Sequence, residues 1–200
     1  MNKRQVVVIH GGDTFGTYNE YVAYLKSMAV DLARIMQKDW RDSLQGKLGE
    51  EYQVILPKMR NHNNAKYSEW KIYFDKVASL LDDGVVLIGH SLGGIFLAKY
   101  LSENKFPKVV KATILVAPPF DDSDSAYDLA DFDLPTSLER LQKQGGKIFL
   151  YCSKDDPYGL FKDFEKYKKA LPNVAVRVFE NRGHFNQPEF PELIEDIKSL

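Results

Sequence analysis

The run Val85-Val86-Leu87-Ile88-Gly89-His90-Ser91-Leu92-Gly93-Gly94 constrains this chain more than any other stretch. Four consecutive aliphatic residues read as a buried strand. Gly-x-Ser-x-Gly reads as a sharp turn, and Leu92, Ile95, Phe96 and Tyr100 follow at helical spacing. A turn this tight leaves no room for side chains at Gly89 and Gly93, and it lifts the Ser91 hydroxyl clear of the sheet at the N-terminus of the next helix. Ser91 is therefore a candidate nucleophile; the plainer alternative is a serine that only caps a helix.

Similar alternation runs through the whole chain. Apolar runs predict strands at Val6–His10, Tyr52–Leu56, Val85–Gly89, Ala112–Val116, Ile148–Cys152 and Ala175–Glu180. Most are continuous rather than alternating, which fits strands covered on both faces, as in a parallel sheet. Amphipathic helices are expected between them. The first opens with a capping box, Thr17-Tyr18-Asn19-Glu20, and its apolar face is Tyr21, Leu25, Met28, Leu32 and Ile35. Another carries Trp70, Phe74, Val77 and Leu81, another follows Ser91, another spans the region near Leu160–Leu171, and the last carries Leu193, Ile194, Ile197 and Leu200. The order predicts an α/β fold in one domain over residues 1–200: a doubly wound, mostly parallel sheet of about six strands with helices on both faces. Gln45–Glu50 and Arg60–Lys66 read as loose segments. Pro118–Pro135 is long for a connection and holds six aspartates with no Lys or Arg. It is expected to border a site and to disfavour anionic ligands, with Asp122 and Asp124 as its test positions.

Composition excludes several function classes. A formal net charge of −1 offers no basic excess for nucleic acid. No run approaches the roughly 20 apolar residues of a membrane span. The N-terminal apolar run, Val6–Ile9, is too short for a secretory signal and ends at His10-Gly11-Gly12, so a cytoplasmic protein is expected. Cys152 is the only cysteine, which excludes an intrachain disulfide; at the end of an apolar strand it reads as a packing thiol.

A serine hydroxyl needs a base to take its proton and an acid to orient that base. Candidates for both follow predicted strands: Asp155 or Asp156 in Ser153-Lys154-Asp155-Asp156-Pro157-Tyr158, and His184 in Asn181-Arg182-Gly183-His184-Phe185. Loops from separate strand ends converge at one edge of an open α/β sheet. An oxyanion hole would take the N–H of Leu92 and a second donor from the loop His10-Gly11-Gly12-Asp13, with Gly12 first and Asp13 second. His10 is expected to brace that loop, and His90 fills the variable position of the serine turn. His62 has no partners at metal-ligand spacing, and no phosphate-binding glycine pattern is present, so neither a metal nor a cofactor is expected.

Together, Gly89-His90-Ser91-Leu92-Gly93-Gly94, Ser153-Lys154-Asp155-Asp156-Pro157-Tyr158 and Gly183-His184-Phe185-Asn186 resemble the α/β-hydrolase superfamily. The run Gly183 to Leu193 is most similar to the small serine hydrolases related to retinoblastoma-binding protein nine and the YdeN-like proteins. That resemblance implies a compact sheet and a triad of Ser91, Asp156 and His184. Pro157 supports Asp156 over Asp155, because it biases the residue before it towards an extended conformation and a defined direction. The implied activity is cleavage of a small-molecule ester, thioester or amide through an acyl-serine. The alternatives are acyl transfer by the same triad and a non-catalytic binding module with a vestigial site.

Overall fold

The computed structural model describes residues 3–123 and 128–200. Its strands are β1 (Arg4–Ile9), β2 (Tyr52–Ile55), β3 (Val85–His90), β4 (Val110–Val116), β5 (Lys147–Ser153) and β6 (Ala175–Phe179). Its helices are α1 (Tyr18–Ser27), α2 (Leu32–Met36), α3 (Trp40–Leu48), α4 (Tyr67–Ser79), α5 (Leu92–Glu103), α6 (Glu139–Gln144), α7 (Phe161–Ala170) and α8 (Pro191–Lys198). The strands form one sheet in the order β2-β1-β3-β4-β5-β6, with every neighbouring pair parallel. Each strand overlies one of the six predicted apolar runs.

Successive side chains of a strand face opposite ways, so the apolar runs feed two cores. Val7, Ile9, Leu87, Leu115 and Leu150 pack with residues of α4, α5, α6 and α7 on one face. Val6, Val8, Ile88, Ile114 and Tyr151 pack with residues of α3 and α8 on the other. This is the expected doubly wound arrangement. Edge strand β6 departs from it, because its Val176 and Val178 side chains stay exposed. The chain leaves β1 for β2 on one side and resumes at β3 on the other. The C-terminal ends of β1 and β3 therefore flank the point where strand order reverses, and a crevice opens there.

Two expectations need correction. The capping box forms as read: Thr17 Oγ1 accepts from Glu20 N, and Glu20 Oε2 accepts from Thr17 N. However, the expected single helix is broken into α1 and α2, and its apolar face is not in the core. Leu25 is 41% exposed, Met28 45%, Leu32 70% and Ile35 68%. The reason is that α3 takes the place on the sheet that this helix was expected to fill. Trp40, Leu44 and Leu48, one turn apart, are buried against Val6, Val8 and Tyr52. The second correction is that Gln45–Glu50 is not loose, since Gln45–Leu48 is the last turn of α3. Cys152 is buried, and burial pushes its thiol up to about 12. Among the described residues no helix is long and apolar enough to cross a membrane.

Candidate active site

Ser91 sits at the turn from β3 into α5 with φ +56° and ψ −123°, a conformation that costs a non-glycine residue about 1–3 kcal/mol. The neighbours enforce it. A Cβ on Gly89 would collide with the Gly93 carbonyl, and one on Gly93 with the Ile9 carbonyl. Ser91 N donates to Val116 O at 2.8 Å, which ties the turn to β4. Leu92 is the first residue of α5, so its N–H has no acceptor within the helix.

The β5 and β6 loops bring the acid and the imidazole together. His184 Nδ1 lies 2.8 Å from Asp156 Oδ2, with both side chains nearly buried. The other Asp156 oxygen accepts from Tyr158 N at 2.9 Å, and the Tyr158 ring stands edge-on to His184 with centroids 4.6 Å apart. Asp155 points elsewhere. Its Oδ1 accepts from Ser153 Oγ at 2.5 Å and from Gly183 N at 2.8 Å. Those hydrogen bonds, the Ser153 hydroxyl foremost, hold its carboxyl below the usual carboxylate range. Asp155 thus fastens the backbone beside His184, while Asp156 faces the ring. Tyr158 and Ser153 were not singled out from the sequence. Both flank the acid pair, and that adjacency was the available signal.

The loop after β1 lies on the other side of Ser91. A Cβ on Gly11 would stand 3.1 Å from Ser91 Cβ, and one on Gly12 would stand 2.5 Å from the His62 carbonyl oxygen and 3.3 Å from Leu92 Cδ2. Asp13 N already donates to His62 O at 2.8 Å, so of the two candidate second donors Gly12 is the one without that bond. His10 braces this loop, with Nδ1 2.6 Å from Gly11 O and Nε2 accepting from Met59 N at 3.0 Å. His62 packs edge-on against the His10 ring. If the Gly12 N–H is the second oxyanion donor, Gly12→Ala is expected to lower kcat up to about 100-fold with KM little changed, because the added methyl would push that amide out of place. Steady-state kinetics alongside a thermal melt check this. An unchanged kcat would move the donor elsewhere in the loop.

Ser91, Leu92, Gly12 and His184 line one cleft of about 980 Å³. Phe15, Ala23 and Tyr24 also line it, although no sequence signal marked them. From the acidic segment, Asp128 and the buried Leu129 reach the cleft. Two other aspartates of the segment have separate tasks. Asp121 pairs with Lys166 at 2.7 Å, and Asp131 caps the start of α4 through Tyr67 N and Ser68 N. Asp122 Oδ2 lies 3.5 Å from Leu129 N. Asp124 lies outside the described residues.

Comparison with known proteins finds relatives in sequence and in fold. Residues 33–192 match the family model described as serine hydrolase. The chain is 28% identical over 151 residues to serine hydrolase RBBP9 of Rattus norvegicus, covering 74% of this chain and 78% of that protein. Among solved structures it is similar to the ydeN gene product of B. subtilis, with a TM-score of 0.78 and 17% identity over 98% of both chains. It is also similar to a thioesterase domain from the curacin biosynthetic pathway, with a TM-score of 0.62 and 15% identity over 98% of this chain and 90% of that one. At these identities the structural likenesses speak for the fold.

Proposed function

The chain belongs to the serine hydrolase family, and from that premise we propose that it cleaves a small ester, thioester or amide through an acyl-serine, using Ser91, His184 and Asp156. The observation that carries this reading is the 2.8 Å pair between His184 Nδ1 and Asp156 on the cleft that Ser91 also lines. A carboxylate accepts a hydrogen bond from Nδ1–H, which fixes the proton on Nδ1, so Nε2 keeps its lone pair and can act as a base.

In the forward step, His184 Nε2 removes the Ser91 proton as Oγ attacks the substrate carbonyl carbon. The negative charge that gathers on the carbonyl oxygen is met by the N–H groups of Leu92 and Gly12. The imidazolium, steadied by Asp156, then gives its proton to the leaving group as the bond to it breaks. Water enters, loses a proton to His184, and releases the acid from Ser91 by the same route in reverse. The deciding experiment is labelling with a fluorophosphonate in parallel with turnover of an activated ester. Wild type should form a Ser91 adduct and Ser91→Ala should not. An unlabelled, inactive wild type would favour the binding module.

Charge in the cleft narrows the substrate. Asp13, Glu20 and Asp128 line it, while Arg41, the one lining arginine among the described residues, is engaged by Asp39. Like charges repel over about a Debye length, so an anionic acyl substrate is disfavoured. Asp128→Asn should raise kcat/KM for an anionic ester relative to a neutral one by about threefold at low salt, and the gain should fade at high salt. An unchanged ratio would remove Asp128 from substrate selection.

A further inference from the structure

We propose that His90 is a positioning residue: its hydrogen bond to the His184 carbonyl, together with the hydrogen bonds of Trp40, holds the backbone that carries the imidazole base. This rests on the reading of the site given above and extends its machinery to the first turn of α3. His90 is the variable residue of the serine turn, and its side chain is turned away from solvent. Nε2 lies 2.8 Å from His184 O, and Nδ1 lies 3.4 Å from Arg41 Nη1. A carbonyl oxygen only accepts, so Nε2 carries the proton, and Nδ1 is left to accept from the guanidinium. Burial, aided by the neighbouring His184 ring and Arg41 guanidinium, drives the His90 imidazole down to about 3, which keeps it neutral at working pH.

The same backbone is gripped at two further points. Trp40 Nε1 donates to Phe185 O and Trp40 N donates to Gln187 O, both at 2.9 Å. Arg41 is in turn oriented by Asp39, with Nε 2.9 Å and 3.0 Å from the two carboxylate oxygens.

The loop has a reason to need this grip. Phe185, next to the base, has φ +55°, a conformation that a non-glycine residue keeps only when its surroundings hold it there. Phe185 is buried against Phe179 and Phe190, so packing secures the side chain. The carbonyls on either side of the strained bond are secured by His90 and Trp40. Asp156 orients the ring through Nδ1. His90 directly precedes Ser91, so one residue ties the backbone of the nucleophile to that of the base. The distance between those two groups is a coordinate to which the rate is steeply sensitive, since an error of about 1 Å can cost 100-fold.

The test compares His90→Phe, which keeps the ring and removes the donor, with His90→Gln, whose amide nitrogen can still reach the carbonyl. With an activated ester, His90→Phe should lower kcat about 10- to 100-fold with KM changed less than twofold, and His90→Gln should recover most of that loss. In proton NMR, the downfield resonance of the His184 Nδ1 proton should weaken or broaden in His90→Phe and persist in His90→Gln. Folded variants with His90→Phe at wild-type kcat, or with His90→Gln as impaired as His90→Phe, would overturn the proposal. If His90→Phe does not fold, Trp40→Phe decides: it should lower kcat severalfold at constant KM, and an unchanged kcat would be an overturning result. Failure of the underlying triad reading looks different, because then Ser91→Ala keeps the activity of wild type.

Discussion

Ser91→Ala and His184→Ala are each expected to lower kcat for an activated ester by about 10⁴- to 10⁶-fold, and the double variant to be little worse than either one. The reason is that nucleophile and base act as one unit. Without the imidazole, the Ser91 hydroxyl keeps its proton at neutral pH. Without the hydroxyl, the imidazole has nothing to deprotonate except water. What remains in any of the three variants is binding and the proposed oxyanion donors, Leu92 and Gly12, which are the same in all of them. Both substitutions should leave the protein folded. Ser91 holds a strained φ of +56° that alanine tolerates no worse, and the turn is anchored by the Ser91 backbone, whose N–H reaches Val116. Single-turnover kinetics with circular dichroism measure both parts. Losses that multiply in the double variant, or near-normal activity in either single variant, would refute the assignment.

Asp156→Asn is expected to lower kcat by about 10⁴-fold, and Asp155→Asn by about tenfold. The two acids are adjacent, yet their surroundings differ. Asp156 faces His184 Nδ1 at 2.8 Å with almost no exposed side-chain surface. An asparagine there can present an N–H to that nitrogen, which stabilises the wrong tautomer and moves the proton to the nitrogen that should act as base. Asp155 instead holds Ser153 Oγ and Gly183 N. Asparagine keeps a carbonyl acceptor for these donors and loses only the charge, so the loop should loosen slightly and the tautomer should survive. Pre-steady-state burst kinetics on both variants test the order. If Asp155→Asn proves the more damaging while both stay folded, the acid is Asp155.

Much of this arrangement was legible because the signals were local. A strand buried on both faces writes an uninterrupted apolar run, so Val85–Ile88 and its counterparts marked the sheet. The serine turn needs glycine at two positions for backbone contact, and that requirement is visible within five residues. Pro157 restricts the residue before it, which favoured Asp156 as the residue with a defined direction. The errors came where several stretches carried the same signal. Tyr21–Ile35 and Trp40–Leu48 both show an apolar stripe at helical spacing. Periodicity says that a helix has an apolar face. It does not say which helix wins the free surface of the sheet.

Tertiary packing decided that contest, burying Trp40, Leu44 and Leu48 and leaving Leu25, Met28, Leu32 and Ile35 exposed. It also decided every contact that joins the site across the chain. His90 meets the His184 carbonyl across 94 residues, and Trp40 meets the Phe185 carbonyl across 145. Chain-local chemistry was enough for the residue types that could react and for the strand ends that would carry them, because backbone sterics and burial on both faces act over a few residues. Which side chains hold the reacting groups in place depends on helices docking onto a completed sheet, and no short stretch of sequence contains that information.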